Sequence, residues 1–176
     1  TVGPPFKDVE LRIAGEDGEV SLAAGEVGEI WIRSPQVMTG YWRMPEETAK
    51  AVTADGWFKS GDAGYLDGDG YLYIHDRVKD MIVSGGENVY PAEVEEVLAS
   101  HPDVAEVGVI GVPHPHTGEA VKAFVVAADG SDIDEETLIE FCREHLARYK
   151  CPNKVLFVDE LPRNTTGKLV RRRLLN

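Results

Sequence analysis

The sequence predicts an α+β fold in two parts, and three observations carry that expectation. Over the first 75 or so residues, short alternating apolar runs are separated by turns rich in Gly, Pro and Asp, the pattern of antiparallel β structure. From Asp76 onward the period changes, and two stretches with apolar residues on one helical face alternate with strand-length apolar runs. Between the two patterns lies "DRVKDMI", charged and without period, which sets the boundary: residues 1–76 form a small, mostly β part and residues 77–176 a small α+β domain.

Each element has its own justification. "VELRIAG" alternates after Pro4-Pro5 and "GEIWIRSP" follows as a second strand. "PEETAKAVTADG" is a short helix, with Pro45 at its start and Gly56 past its end. "GYL" and "GYLYI" flank "DGDG", which reads as a hairpin turn. A calcium loop is the weaker reading, because Leu72 stands where that template needs glycine if Asp67 is first. In the second part, Pro91 opens a helix with Val94, Val97 and Leu98 on one face. "EVGVIGVP" and "EAVKAFVVA" are strands. "DEETLIEFCREHLARY" is a second amphipathic helix capped by Asp134, with acids in its first turn, and "KVLFVDEL" is a third strand.

The composition of the 176 residues is globular, 43% hydrophobic and 28% charged, with no run of transmembrane length. The net charge of −13 argues against a nucleic-acid binder, since phosphate contacts need a basic face. The charge is unevenly spread: residues 143–176 carry nine Lys or Arg against three acids, on an otherwise acidic body. A basic end of this kind suits a small polyanion such as a nucleotide, or is simply a solvated surface. Cys142 and Cys151 stand in no metal-binding or redox spacing, and two free thiols in a reducing cytoplasm is the simplest expectation. His114 and His116 have no third ligand in suitable spacing, so no metal site is expected. The chain opens on Thr1 rather than Met and reads as a piece of a longer protein.

Three motifs bear chemistry. "FKSGDAGYL" places Asp62 after a Ser-Gly turn, where a carboxylate can accept two hydrogen bonds from a diol. "DRVKDMIVSGGENVYPAEVE" gathers Arg77, Lys79 and Asp80 at the junction, then a glycine pair ahead of a helix. "PRNTTGKLVRR" sets Lys168 after Gly167 on a polar, mobile turn, where it can be carried to a phosphate or carboxylate. Taken one by one, each has an ordinary alternative: a Gly-Asp turn, a charged linker, an exposed lysine.

In this order, "GEIWIRSPQVMTGYW", "DGWFKSGDAGYLDGDGYLYIHDRVKDMIVSGGENVYPAEVE", "GEAVKAFVV" and "FVDELPRNTTGKLVRRRL" resemble the C-terminal part of the adenylate-forming enzymes, in particular acyl-CoA synthetases of the fatty-acid–CoA ligase type. The resemblance covers nearly the whole chain. It implies that residues 1–76 are the last β subdomain of a large N-terminal domain, a distorted barrel. Residues 77–176 would be the mobile C-terminal domain, a mixed sheet with flanking helices. It implies a reaction in two steps: a carboxylic acid and ATP give acyl-AMP and pyrophosphate, and the acyl group then passes to CoA.

By motif position, Lys168 would be catalytic in the first step, Asp62 and Arg77 would bind the nucleotide, and Lys79 would be the hinge of a domain rotation. Ser84, Gly85, Gly86, Glu87 and Asn88 would line the CoA channel. Ser60 stands where many members have threonine, and both supply a hydroxyl. The cofactors implied are ATP, with Mg2+ held by residues upstream of this chain, and CoA. The phosphate loop and the acid pocket also lie upstream, so the chain alone is expected to be inactive, and the acid, a fatty acid by motif flavour, is not legible. The surface that meets the missing N-terminal domain in the family is also a face for self-association. Two other readings stand beside this one: an adenylation domain that loads a carrier protein, and a binding module without catalysis.

Overall fold

The computed structural model describes residues 1–15, 18 and 20–175. They form two compact units, Thr1–Lys79 and Asp80–Asn176.

The first unit is built on strands β1 (Glu10–Ala14), β2 (Gly28–Arg33), β3 (Phe58–Leu66) and β4 (Leu72–Arg77), in antiparallel order β1-β2-β3-β4. Helix α1 (Pro45–Ala51) lies between β2 and β3. It stops well before Gly56 because Val52 is extended and bridges to Phe58. The "DGDG" segment is a hairpin turn, in which Asp67 and Tyr71 pair and Gly70 N–H donates to the Asp67 carbonyl.

Strand alternation gives the sheet two faces. On one, Ile13 pairs with Ile30 and packs with Leu72. On the other, Arg12, Trp31 and Lys59 are cross-strand neighbours on β1, β2 and β3. The Arg12 guanidinium lies 4.5 Å from the Trp31 ring and 4.7 Å from the Trp57 ring, and Lys59 Nζ lies 4.8 Å from Trp31. A cation over an aromatic face is attracted by the negative charge of the ring face, so these contacts hold the three strands together on this side. The expected barrel is not closed. Val2 N–H bonds to Leu72 and Gly3 bridges to the same residue on the outer edge of β4, while on the outer edge of β1 Ala14 bridges to Ser21 and the Ile13 carbonyl accepts the Leu22 N–H, so β1 and β4 stay at opposite ends of the strand order. One bridge cannot close a four-stranded sheet, whose strands must tilt and stagger to meet.

The second unit contains β5 (Ile82–Ser84), β6 (Glu87–Val89), α2 (Pro91–Ala99), β7 (Val104–His114), β8 (Gly118–Ala127), α3 (Glu135–His145) and β9 (Lys154–Phe157). A 3-10 turn, Val78–Asp80, precedes it, and another, Arg171–Leu175, ends the described chain. β7 runs along one side of β8 for ten paired positions. β9, parallel, and β5, antiparallel, share the other side. The sheet is therefore mixed.

The period of two along β7 and β8 again separates two faces. Val109, Val121, Ala123 and Val125 meet Val94, Leu98, Leu138 and Cys142 from the two helices. Ile110 and Phe124 meet Leu161 and Leu174 from the C-terminal segment. Fully burying aliphatic side chains of this size contributes about 1.5–3 kcal/mol each, so the helix face dominates this unit. Asp134 caps α3 by accepting the Thr137 N–H at 2.9 Å, and that bond holds its carboxyl below the usual range. Cys142 and Cys151 are both buried and free, and burial pushes the Cys142 thiol up to about 12.

The hairpin β5–β6 was not expected. "SGGEN" reads in the sequence as a loop into a helix. In the structure Ser84 pairs with Glu87 across a two-residue turn, with Gly85 and Gly86 at φ +63° and +88°. Two successive positive φ values make the turn type whose twist matches the flanking strands, and glycine reaches them without a steric penalty.

Candidate functional site

In the first unit, the register of β3 and β4 sets Asp62 directly opposite Arg77. Arg77 Nη1 donates to Asp62 Oδ1 at 2.7 Å. The pair is open to solvent, with the Asp62 side chain 33% and the Arg77 side chain 51% exposed. Half-exposed ion pairs contribute little stability, so the arrangement matters more as a polar platform in which Arg77 holds one carboxylate oxygen of a partly exposed Asp62. The platform is aimed by its neighbours. Ser60 Oγ donates to the Ile30 carbonyl at 2.7 Å and accepts the Asp62 N–H at 3.1 Å. Glu29 accepts from the Gly61 N–H at 3.1 Å and from Trp31 Nε1 at 2.8 Å. The hydroxyl at position 60 is thus a structural clip, which threonine also supplies. The sequence reading missed Glu29; the bulge between Glu29 and Trp31 that aims it has no local sequence mark.

Lys79 is exposed, in the 3-10 turn Val78–Asp80.

In the second unit, the segment around Lys168 is not a loose loop. Asn164 and Lys168 close a turn in which Asn164 N–H donates to the Lys168 carbonyl and Gly167 N–H to the Asn164 carbonyl. Asn164 Oδ1 accepts from Thr166 N–H at 3.0 Å, Thr166 Oγ1 at 2.8 Å and Lys168 N–H at 2.9 Å. At its base Arg163 bridges to Leu169, and Arg163 Nη1 bonds the Gly167 carbonyl at 2.7 Å. An Asn that bonds its own following backbone is a local turn device, and "RNTTGK" carries that signal. Lys168 itself is exposed and makes no ion pair among the described residues. A cation held on a firm, polar turn with a free ammonium is available to an arriving anion.

The basic tail is partly spent inside the molecule. Arg163 pairs with Glu106 at 2.7 Å, and Arg171 with Glu95 at 2.7 Å. Arg172 and Arg173 remain exposed.

Ser84 to Asn88 form the tip of the β5–β6 hairpin. Gly85 N–H donates to the Thr117 carbonyl, and Glu119 Oε2 accepts the Val83 N–H at 2.8 Å, which ties the hairpin to the β7–β8 connection. A Cβ at Gly86 would meet nothing within 4 Å and one at Gly85 only Thr117 at 3.9 Å, so the tip leaves open space for a ligand. His114 Nδ1 lies 2.8 Å from Thr117 Oγ1 in the same connection, and no group of three His, Cys, Asp or Glu among the described residues is arranged to hold a metal ion.

The family model for the AMP-binding enzyme C-terminal domain matches residues 93–168, and that for the AMP-binding enzyme matches residues 1–42. Both ends of the chain thus match the AMP-binding enzymes, residues 1–42 and residues 93–168 each in its own part. Among the AMP-binding enzymes it resembles, the 2-succinylbenzoate–CoA ligase of Geobacillus kaustophilus is 53% identical over 99% of this chain and 35% of its own length. The long-chain-fatty-acid–CoA ligase of Bacillus subtilis is 49% identical over 99% of this chain and 31% of its own length. Among solved structures, ATP-bound MatB from Rhodopseudomonas palustris superposes with a TM-score of 0.90 at 44% identity, covering 98% of this chain and 34% of MatB. The chain spans about a third of the length of these relatives.

Proposed function

We propose that the protein to which this chain belongs is an AMP-forming acid–CoA ligase, and that the chain is its C-terminal part. The observation that carries the reading is likeness along almost the whole chain to ligases that share CoA and differ in their acid. In this reading residues 1–76 end the large domain and residues 77–176 are the mobile one. The acid carboxylate attacks the α-phosphate of ATP and pyrophosphate leaves. The CoA thiol then attacks the acyl carbonyl, AMP leaves, and the thiol proton passes to solvent.

This chain's residues divide the work between steps. Asp62 accepts from the ribose hydroxyls through the oxygen that Arg77 leaves open, and Arg77 holds the nucleotide edge. Lys168 bridges the attacking carboxylate and the α-phosphate, where negative charge gathers in the transition state. Lys79 supplies the torsions for a rotation that withdraws Lys168 and brings up the Ser84–Asn88 hairpin beside the pantetheine arm. The firmness of the Asn164–Lys168 turn supports a lysine moved with its whole domain rather than by a flexing loop. The acid pocket lies outside this chain; a fatty acid is one choice, and the chain alone is expected to turn nothing over.

The test uses the full-length protein with ATP, CoA and a panel of acids: a long-chain fatty acid, 2-succinylbenzoate and ferulate. The expected result is AMP and acyl-CoA from at least one acid. Acyl-AMP that passes only to a pantetheinylated carrier protein would move the assignment to a carrier-loading adenylation domain. Absence of acid-dependent pyrophosphate exchange with any acid would leave a non-catalytic module.

A further inference from the structure

Asp80 is the first residue of the second unit, directly after Lys79. Its Oδ2 lies 3.4 Å from Arg171 Nη1, 91 residues further along the chain. The same guanidinium meets Glu95 on α2 through Nη2 at 2.7 Å and Nε at 3.3 Å. Glu95 Oε1 in turn accepts the Val109 N–H of β7 at 2.8 Å. One arginine therefore joins the start of the unit, its first helix and its longest strand. The side chains of Arg171, Asp80 and Glu95 are 21%, 23% and 18% exposed, so the cluster is largely withdrawn from water. A planar fork with two carboxylates, one of them fixed to the backbone, is directional in a way a lysine is not.

Arg171 also follows Lys168 by three residues, and the segment between them is pinned. Val170 N–H donates to the Pro162 carbonyl. Leu169 and Leu174 pack over Gly108 of β7, where a Cβ would come within 3.1 Å and 3.2 Å of them. The lysine turn and the residue after the hinge are thus held to one body by the same side chain.

We infer that Arg171 is a positioning residue that clamps Asp80 to the body carrying Lys168. The pivot then lies before Asp80, and the place of Lys168 follows the hinge torsions without slack. The inference rests on the ligase reading and on the roles given to Lys79 and Lys168. Arg171 itself touches no substrate.

The experiment measures both half-reactions of the full-length protein: acid-dependent pyrophosphate exchange, and thioester formation from synthetic acyl-adenylate. The variants are Asp80→Asn, Arg171→Met, the double variant, Arg171→Lys, and Lys168→Ala as reference. Asp80→Asn and Arg171→Met are each expected to lower the kcat of exchange on the order of tenfold, with KM for ATP nearly unchanged, because a displacement of about an ångström suffices for such losses. The double variant should match the worse single, since both break one link. Arg171→Lys should recover only part of the rate. Asp80→Asn is nearly isosteric and keeps the test intact if Arg171→Met folds poorly. Multiplying effects, a raised KM with kcat intact, or unchanged rates would overturn the clamp while a collapsed Lys168→Ala exchange left the ligase reading standing. Intact exchange in Lys168→Ala would overturn both.

Discussion

At the scale of single residues, the two candidate groups of this chain are set by hydrogen bonds that no pattern of apolar residues encodes. Asp62 and Arg77 were both legible as candidates, but their pairing depends on the β3–β4 register, which shifts at a bulge between Ala63 and Gly64. A one-residue slip would put them on opposite faces. Ser60 holds this geometry with two bonds. Ser60→Ala is therefore expected to cost about 1–2 kcal/mol, through a lost hydrogen bond and an under-satisfied Asp62 N–H, while Ser60→Thr stays close to the original. Urea denaturation followed by tryptophan fluorescence reads both, and equal midpoints for Ser60→Ala and the original chain would remove the clip. Arg163 and Arg171 show the opposite limit of sequence reading. They count as basic tail residues by composition, yet their charges face Glu106, Glu95 and Asp80, acids far away along the chain.

At the scale of elements, the long periodic segments were readable and the short ones were not. α2 and α3 carry apolar faces of Val94 and Leu98, and of Leu138 and Cys142, and β7 and β8 are long enough for their alternation to show. β5 and β6 are three residues each, too short for any period, and the glycine pair between them suggested only a loop. The signal was present in the Gly-Gly dipeptide itself, which suits a two-residue hairpin. Gly85→Val forces a β-branched residue to φ +63°, a conformation that costs about 1–2 kcal/mol for an L-residue. The expected consequence is loss of the Ser84–Glu87 pairing, read as faster amide exchange in β5 and β6 while β7 and β8 stay protected. Unchanged exchange at the hairpin would mean that its packing, and not the turn, fixes it.

At the scale of the whole molecule, the two units have separate cores of very different size. The first rests on Ile13, Ile30 and Leu72 with a tryptophan–arginine stack behind them; the second rests, among the described residues, on thirteen buried side chains on its helix face alone. All three tryptophans, Trp31, Trp42 and Trp57, lie in the first unit, whereas the two longer helices lie in the second. Tryptophan fluorescence and helical circular dichroism therefore report on different units. In guanidinium the fluorescence transition is expected at the lower concentration, and coincident transitions would show that the units unfold as one.

The central claim is that Lys168 serves the adenylation step of a two-step ligase, and Lys168→Ala in the full-length protein tests it most directly. Pyrophosphate exchange and thioester formation from synthetic acyl-adenylate are measured on the same preparation. The account predicts that exchange falls by about a hundredfold or more, the scale of losing a group that stabilises transition-state charge, while thioester formation largely survives. Exchange that persists at the original rate would contradict it and leave Lys168 an ordinary surface lysine.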